Sequence, residues 1–284
     1  MHVRRPGWTL PGDPYAHLAR GYDLTARTYD EVEGANRLSE RVRRLVREAA
    51  TSVFRPGDRI LELGCGTGRD AAFFARHGIR VVATDISPAM VEATRARAAR
   101  DGLKDLVTAH VAAASVAAEM EDTFDGAYSN GAVLNMEPDL ARTSRGLATC
   151  VRPGGHAVLA VANRLSLFEL LVYPLLLRPR KAFRKLGASV PIPISREDPG
   201  KRYVVPTRFL TPKEFVGPFL PAFEVVARRG LQAITPPWNL VEEATRFPAA
   251  LEALERLEDR FGAGPVLRDV GAISLVVLRR RHLG

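Results

Sequence analysis

A glycine-rich stretch holds the residues of this sequence that are best suited to chemistry. An apolar run over residues 59–63 predicts a buried parallel strand, and a helical pattern begins at Asp70. Between them, three glycines alternate with other residues: Gly64, Gly66 and Gly68. Glycine tolerates positive φ and lets the backbone approach a ligand, and a helix N-terminus presents free N–H groups. We therefore predict a small-molecule site at this strand-to-helix corner of a doubly wound α/β fold.

A carboxylate follows the next predicted strand. Residues 79–84 are largely apolar and end on Asp85, followed by Ile86. A carboxylate at such a strand end can accept hydrogen bonds from both hydroxyls of a ribose, and Ile86 would flank the adenine face. Ser87 and Pro88 are typical of a helix N-cap and first turn. An ordinary turn residue is the alternative interpretation of Asp85.

Four blocks of the sequence together resemble the class I S-adenosylmethionine (SAM)-dependent methyltransferases. The blocks are residues 60–68, 81–90, 124–130 and 151–155, in the family's order and spacing. The glycine block alone is weak evidence, because nucleotide-binding folds share it. The motif style is similar to that of ubiquinone-pathway, menaquinone-pathway and natural-product methyltransferases. The resemblance implies SAM as cofactor and an α/β, Rossmann-like seven-stranded sheet with an antiparallel last strand.

The resemblance also implies which residues line the cofactor pocket. In many small-molecule methyltransferases a tyrosine before the first core helix closes over SAM, although such a tyrosine can also simply pack the arm onto the core. The family often has a carboxylate after the third strand for the adenine amino group, where this sequence has residues 112–115 without one. Backbone groups or Ser115 would then hold the adenine edge. The predicted cofactor-binding residues are Tyr22, Tyr29, Glu62, Gly64, Cys65, Gly66, Asp85, Ile86, Ala113 and Asn130.

The 284 residues suit one large domain with an insertion. We divide the chain into an N-terminal arm closing over the cofactor (1–34), a SAM-binding core (35–164), a lid or substrate insertion between strands five and six (165–206) and the C-terminal part of the core sheet (207–284). Residues 1–20 contain prolines and glycines, which predict an irregular arm. Thr211 and Glu214 predict a capping box, and Pro248 a break in the helix predicted for residues 239–261.

An apolar stretch over residues 165–177 interrupts the α/β pattern. It is too short to span a bilayer, and Glu169 and Pro174 break it. Basic residues follow at once, beginning with Arg178. Three interpretations stay open: a lid over an apolar substrate, a peripheral membrane contact through residues 165–185, or a helix packed on a dimer partner. The oligomeric state is not determined by the sequence.

Charge and cysteine content limit the partners. The net charge is +9, and residues 164–229 carry thirteen basic against five acidic residues, which fits solvated arginines, a basic substrate mouth or an anionic-membrane patch. Nucleic acid is an unfavoured partner, because residues 130–135 lack the Asn/Asp-Pro-Pro-aromatic signature and no Pro-Cys pair is present. Cys65 and Cys150 provide neither a disulfide framework nor a metal site, and the N-terminus lacks a signal-peptide pattern. We expect a cytoplasmic protein.

The predicted reaction is in-line transfer of a methyl group from SAM to an O, N or C atom of a small, partly apolar molecule. Catalysis would rest on positioning and exclusion of water, and only a neutral hydroxyl would need a strong base. No residue of the sequence identifies that base. The candidates for substrate contact are Asn135, Tyr173, Tyr203, Arg208 and Trp238. Of these, Arg208 and Tyr203 suit an anionic or hydroxylated substrate.

Three other functions are weighed against this prediction. The first is a nucleic-acid or protein methyltransferase, which the charge favours. The second is a methyltransferase-like protein that binds SAM without catalysis. The third is a nicotinamide-binding oxidoreductase, against which Glu62 and the closing C-terminal strand both argue.

Overall fold

The computed structural model describes residues 13–117, 120, 123–187, 189–194 and 203–282. The strands are β1 (Arg59–Leu63), β2 (Arg80–Asp85), β3 (Val107–Val111), β4 (Phe124–Ser129), β5 (Val151–Ala162), β6 (Val190–Pro193), β7 (Val204–Thr207), β8 (Phe223–Leu231) and β9 (Ile273–Arg280). The helices before β5 are α1 (Pro14–Asp23), α2 (Tyr29–Gly34), α3 (Arg37–Thr51), α4 (Arg69–Arg76), α5 (Pro88–Arg100), α6 (Ala114–Ala117), α7 (Val133–Met136) and α8 (Leu140–Cys150). Those after it are α9 (Leu167–Leu175), α10 (Pro179–Ala182), α11 (Pro212–Val216), α12 (Val241–Thr245) and α13 (Pro248–Phe261).

Across the described residues, seven strands form one sheet in the order β3-β2-β1-β4-β5-β9-β8. The first five of these are parallel, and β9 runs antiparallel between β5 and β8. This arrangement confirms the predicted fold class with its antiparallel last strand. Because β1 runs parallel to its neighbours β2 and β4, the carboxyl ends of all three strands meet at one edge of the sheet. That edge is where the sequence predicts the ligand site.

The core has two layers because helices cover both faces of the sheet. One layer joins α3, α4 and α5 to the sheet around Phe54, Phe74 and Tyr128. The other joins α8 and α11 to the opposite face around Phe215 and Phe219. Strands β1 and β4 are buried along almost their whole length. Their carboxyl ends are therefore held rigidly where the ligand site begins.

The prediction of an irregular arm over residues 1–20 is wrong for its described part. A helix runs over Pro14–Asp23, with Asp13 as N-cap accepting a hydrogen bond from the Tyr15 N–H at 2.9 Å. An acidic cap followed by proline is a local helix-start signal, which the glycine and proline content outweighed in the prediction. Residues 1–12 lie outside the described part of the chain.

The arm helix is fastened to the start of α5. The Asp23 carboxylate accepts hydrogen bonds from the Ser87 hydroxyl at 2.5 Å and from the Ala89 N–H at 3.0 Å. Ser87 is the N-cap of α5 and Ala89 lies in its first turn, where free N–H groups favour an acidic partner. As a result α1 lies across the carboxyl end of β2.

The segment between β5 and β8 carries α9, α10 and the antiparallel pair β6–β7. Residues 188 and 195–202 of the predicted insertion lie outside the described residues. Pro174 falls in the last turn of α9, which ends at Leu175, and Leu177 beyond it has a left-handed φ of 56°. Nowhere in the described part of the chain is a helix both long and apolar enough to cross a membrane. Closure of this segment as a lid stays a prediction.

Two predicted boundaries agree with the structure. Thr211 and Glu214 form the predicted capping box, and the helix breaks before Pro248 as expected. Helix α8 begins at Leu140, where Asp139 accepts the Arg142 N–H as its cap. Strand β5 begins at Val151, which pairs with β4 ahead of a register shift.

A buried ion cluster joins α3 to α13 and to the chain after β8. The Arg41 guanidinium donates to the Glu258 carboxylate at 2.7 Å, and the side chain of Glu258 is fully buried. Glu258 also accepts hydrogen bonds from four consecutive backbone N–H groups and one hydroxyl: the N–H groups of residues 232–235 and the Thr235 hydroxyl. Burial alone would raise the pKa of Glu258, but these hydrogen bonds and Arg41 lower it. The carboxylate is thus charged at neutral pH and bound on every side.

We predict that Glu258→Gln lowers the free energy of unfolding by about 3 kcal/mol, because it removes the fully buried charge that pairs with Arg41 and accepts four backbone N–H groups, and leaves Asp259 as the close partner of Arg41. Urea denaturation followed by circular dichroism measures the change. Glu48→Gln is the matched control, since Glu48 pairs with Arg44 in a half-exposed pair. That control is expected to cost less than about 1 kcal/mol. Equal losses in the two variants would contradict the prediction.

Candidate active site

The turn after β1 is built from glycines with left-handed backbone. Gly64, Gly66 and Gly68 have φ values of 75°, 53° and 76°. A Cβ on Gly64 would lie 2.2 Å from the side chain of Val133, so this position has no room for one. The Gly64 N–H donates to the carbonyl of Thr84 at 2.8 Å, which ties the turn to the end of β2. The corner therefore forms a tight backbone cradle.

Asp85 lies at the carboxyl end of β2, facing this cradle. One carboxylate oxygen accepts the Gly66 N–H and the other accepts the Ser87 N–H, both at 2.9 Å. Burial raises the pKa of Asp85, while the backbone hydrogen bonds act in the opposite direction. Each carboxylate oxygen has a second lone pair, so both can still accept a hydroxyl. The geometry fits the two hydroxyls of a ribose.

A first cavity, called the cofactor cavity below, opens above the corner. Nine of the ten predicted cofactor residues line it: Tyr22, Tyr29, Gly64, Cys65, Gly66, Asp85, Ile86, Ala113 and Asn130. Leu18 and Met90 add apolar surface beside Ile86, as an adenine ring would require. The predicted residues are therefore brought together, while their contacts with a cofactor stay predictions.

Glu62 is the exception, because it lies beneath the cofactor cavity rather than in its wall. It is 2% exposed, and one of its carboxylate oxygens has no hydrogen-bond partner among the described residues. Burial, and then the charge of Asp70, raise the pKa of Glu62 well above its ordinary value. Contact between Glu62 and a cofactor stays a prediction.

One wall of the cofactor cavity carries a carboxylate that the sequence did not reveal. Tyr15 donates a hydrogen bond to Glu137 at 2.6 Å, and its hydroxyl lies 2.9 Å from that of Ser115. The Ser115 N–H donates to the other oxygen of Glu137 at 3.1 Å. Tyr15 and Glu137 both line the cavity. The family resemblance implies a carboxylate directly after β3, whereas Glu137 follows β4. No local sequence pattern indicates that Glu137 lies in this wall.

A second missed group is a buried ion pair on the opposite wall. Asp70 accepts hydrogen bonds from Arg43 at 2.9 Å, Arg47 at 2.6 Å and Tyr128 at 3.1 Å. Burial by itself would raise the pKa of Asp70, but the two guanidinium groups lower it below its ordinary value. The helical spacing of Arg43 and Arg47 was the available signal, since residues four apart share a helix face.

A second cavity of about 480 Å³, called the acceptor cavity below, adjoins the first. The two share six lining residues: Tyr22, Tyr29, Arg43, Asn130, Gly131 and Met136. At this junction the Tyr22 hydroxyl donates to the sulfur of Met136 at 3.1 Å. Burial raises the pKa of Tyr29 to about 12, so its hydroxyl keeps its proton at neutral pH. The junction therefore contains hydrogen-bond donors.

Two of the five predicted substrate residues, Tyr173 and Trp238, line the acceptor cavity. The Tyr173 hydroxyl accepts a hydrogen bond from the Asn239 amide at 2.6 Å, which fixes this part of the wall. Deeper in the wall the Lys185 ammonium lies 2.9 Å from the Glu169 carboxylate, and both side chains are buried. Burial lowers the pKa of Lys185, while Glu169 acts against that shift.

Asn135, Tyr203 and Arg208 line neither cavity and are engaged within the protein. The Asn135 amide donates to two backbone carbonyls, those of Ala162 and Arg208. Arg208 donates to the Glu137 carbonyl. Tyr203 stacks on His17 with ring centroids 4.7 Å apart and donates to its carbonyl. All three polar side chains serve contacts between distant segments, which their sequence positions do not reveal.

Metal ligation finds no support in the described residues, because they contain no group of three or more His, Cys, Asp or Glu side chains arranged to hold an ion. The Cys65 thiol is also unsuited to nucleophilic chemistry, since burial raises its pKa well above the ordinary value. A glycine cradle, a strand-end carboxylate and an apolar wall define an α/β protein with a nucleoside-containing cofactor.

Comparisons with known proteins find similarity to methyltransferases. Residues 60–155 match a family model described as a methyltransferase domain. A demethylmenaquinone methyltransferase from Symbiobacterium thermophilum is 32% identical over 168 residues, which cover 56% of this chain and 65% of that relative. The chain thus spans less than two thirds of that relative's length. These similarities support a class I SAM-dependent methyltransferase, and the lining of the cofactor cavity fits SAM as the cofactor.

Solved structures share the fold over nearly the whole chain. The cyclase SpnF covers 97% of this chain and 99% of its own, with a TM-score of 0.64 and 18% identity. The 1,6-didemethyltoxoflavin-N1-methyltransferase of Burkholderia thailandensis, solved with S-adenosylhomocysteine, covers 99% of this chain and 94% of its own, with a TM-score of 0.58 and 17% identity. One fold thus carries a cyclase and a methyltransferase, so the reaction must be argued from the site.

We predict that Asp85→Ala weakens SAM binding by about 1–3 kcal/mol, because the ribose hydroxyls lose a buried charged acceptor. Isothermal titration calorimetry measures the dissociation constant. Asp105→Ala is the matched control, since Asp105 is an exposed aspartate just before β3. Unchanged affinity in Asp85→Ala would contradict the ribose assignment.

Proposed function

We propose that this protein transfers a methyl group from SAM to a small, partly apolar acceptor. The observation that carries the proposal is the pair of adjoining cavities with a shared junction. Such an arrangement suits an in-line displacement, which requires two bound reactants in contact and little water between them. The two relatives named as methyltransferases support the same reaction class.

SAM, when bound, supplies a methyl group activated by a sulfonium. The protein's own part is to hold and orient. The backbone of the glycine corner and Asp85 would hold the nucleoside. Arg43 and Arg69 line the cofactor cavity and would attract a carboxylate there, although each already pairs with a carboxylate of the protein. Tyr29 and Asn130 at the junction would orient the acceptor through hydrogen bonds. Each of these interactions positions a reactant and none requires proton transfer.

The junction residues favour an acceptor that needs no strong enzymic base. Among the described residues shared by the two cavities there is no histidine, lysine or carboxylate. Tyr29 keeps its proton at neutral pH, so it serves as a donor rather than a base. An amine, an enolate or an acidic phenol is therefore the expected nucleophile. A neutral aliphatic alcohol is disfavoured.

The acceptor cavity favours an aromatic molecule bearing oxygen substituents. Its walls include apolar side chains such as Val42, Val205 and Phe209, with Trp238 at one side. Lys181 and Arg184 contribute positive charge to the lining. A hydroxylated naphthalene ring fits both features, and the reduced (quinol) form of the demethylmenaquinone named for one relative is such a ring. We propose acceptors of the quinol type.

The decisive test is binding followed by turnover with purified protein. Calorimetry is expected to detect SAM binding and no NADH binding. Transfer of labelled methyl groups from SAM is then measured with naphthoquinols, phenols and amines, and we expect a naphthoquinol to be methylated. Simple aliphatic alcohols serve as matched negative acceptors. SAM binding without transfer to any acceptor would instead favour a SAM-binding protein without this activity, and absence of SAM binding would overturn the proposal.

A leucine surface near the acceptor cavity supports a peripheral contact with anionic membranes. We define it as Leu171, Leu175, Leu176, Leu177, Phe183 and Leu186, which are 47–90% exposed. Four basic residues are interspersed with it along the chain: Arg178, Arg180, Lys181 and Arg184. Exposed apolar side chains mixed with basic ones suit an anionic lipid surface better than a purely apolar partner. Lys181 and Arg184 also line the acceptor cavity, so an acceptor could enter from the lipid.

We predict that the double variant Leu175→Glu, Leu177→Glu lowers binding to phosphatidylglycerol-containing vesicles by about tenfold or more, because both side chains lose apolar contact and add repulsion. Vesicle co-sedimentation measures this. Val266→Glu is the matched control, because Val266 is 73% exposed outside the leucine surface. Phosphatidylcholine vesicles test the charge requirement. Absence of vesicle binding, with concentration-dependent dimers in sedimentation velocity, would overturn the membrane proposal in favour of a second copy.

Cellular location is the remaining part of the proposal. Cys65 and Cys150 are free and buried, which is compatible with a reducing compartment. We propose the cytoplasm, with membrane contact limited to the leucine surface.

A further inference from the structure

Gln232 has a backbone conformation that is rare for a residue with a side chain. Its φ is +55°, it follows directly after β8, and it is 3% exposed. Among the described residues, the non-glycine residues with positive φ are Ala132, Leu177 and Gln232. Two of these, Ala132 and Gln232, line the acceptor cavity. Backbone strain often concentrates at functional sites, and here it concentrates around one cavity.

The strain at Gln232 persists because the surrounding structure holds both sides of its backbone. Its N–H donates to the Glu258 carboxylate at 3.1 Å, and its carbonyl accepts the Ala272 N–H at 3.2 Å. The next three N–H groups also donate to Glu258, which Arg41 binds from the other side. The buried ion cluster described above therefore fixes the direction in which the Gln232 side chain leaves the backbone.

The carboxamide of Gln232 has no hydrogen-bond partner among the described residues, although the residue is almost fully buried. Its oxygen and its nitrogen are not fully enclosed by protein atoms, so both face open space. The open space that Gln232 lines is the acceptor cavity. Leaving a buried carboxamide unpaired is unfavourable unless a ligand pairs with it. Glycine would adopt this φ without strain, so what the glutamine adds is its carboxamide.

We propose that the Gln232 carboxamide binds a carbonyl or hydroxyl oxygen of the acceptor and orients the acceptor in its cavity. A carboxamide both donates and accepts, so it can pair with either oxygen type. The inference rests on the proposed function in taking the second cavity as the acceptor site. It adds a specificity determinant for ring systems that carry oxygen, as opposed to plain hydrocarbons.

The probe for the test is 1,4-naphthoquinone, an aromatic ring with two carbonyl oxygens. Its binding is measured by quenching of Trp238 fluorescence, with Trp8→Phe as background because the sequence contains two tryptophans. Gln232→Gly removes the carboxamide and also relieves the backbone strain. We expect the dissociation constant of the probe to rise about tenfold, equivalent to 1.4 kcal/mol, with a melting temperature equal to or above that of wild type. Gln232→Asn keeps a carboxamide, so its dissociation constant for the probe is expected to lie between those of wild type and Gln232→Gly.

Leu177→Gly is the matched control, because Leu177 also has a positive φ, 56°, but lines neither cavity, so the change relieves backbone strain without altering the acceptor site. We expect it to leave probe affinity within twofold of wild type. SAM affinity, measured in parallel by calorimetry, is expected to be unchanged in every variant.

Two results would overturn the inference. One is a Gln232→Gly variant that keeps its probe affinity and gains thermal stability, which is the outcome for a purely structural glutamine. The other is a wild-type protein that binds SAM but not the probe. Failure of the wild-type protein to bind SAM would count against the proposed function instead, and the probe measurement, which needs no SAM, would still decide the role of Gln232.

Discussion

Gly64 has no space for a side chain, and the geometry of the ligand site depends on that constraint. A Cβ there would collide with Val133 at the start of α7, so the end of β1 and the chain after β4 can approach each other closely only through glycine. The same turn is bonded to the end of β2 through Thr84. Three strand ends are thereby held around one backbone cradle, and Asp85 acquires its position from this arrangement.

Polar groups around the cradle are buried, and each is stabilised by partners from elsewhere in the chain. Asp70 keeps its charge because Arg43 and Arg47 reach it from α3. Glu137 is held by Tyr15 from the arm helix. Burying such groups is favourable only when hydrogen bonds and opposite charges compensate for lost hydration. The walls of the cofactor cavity therefore also join the arm and the first core helix to the sheet.

The acceptor side has a different construction. Much of its wall comes from α2, from the loop after β4, from the segment between β5 and β8 and from the chain that follows β8, while α3, β5 and β9 also contribute. Two of the loop residues, Ala132 and Gln232, have strained backbone. The Arg41–Glu258 cluster supplies the rigidity that a loop lacks by itself. Fold and cofactor site thus rest on the sheet, whereas acceptor choice depends on segments attached to it.

The sequence by itself determined the glycine corner, the strand-end Asp85 and the capping box at Thr211, because each depends on residues close together in the chain. The local signal at Asp13 and Pro14 was also present, although composition obscured it. Only the tertiary structure decided that Glu137 meets Tyr15, and that Asn135 serves the backbone rather than a substrate. Pairing between distant polar groups follows from how elements pack, and no local pattern encodes which ones will meet.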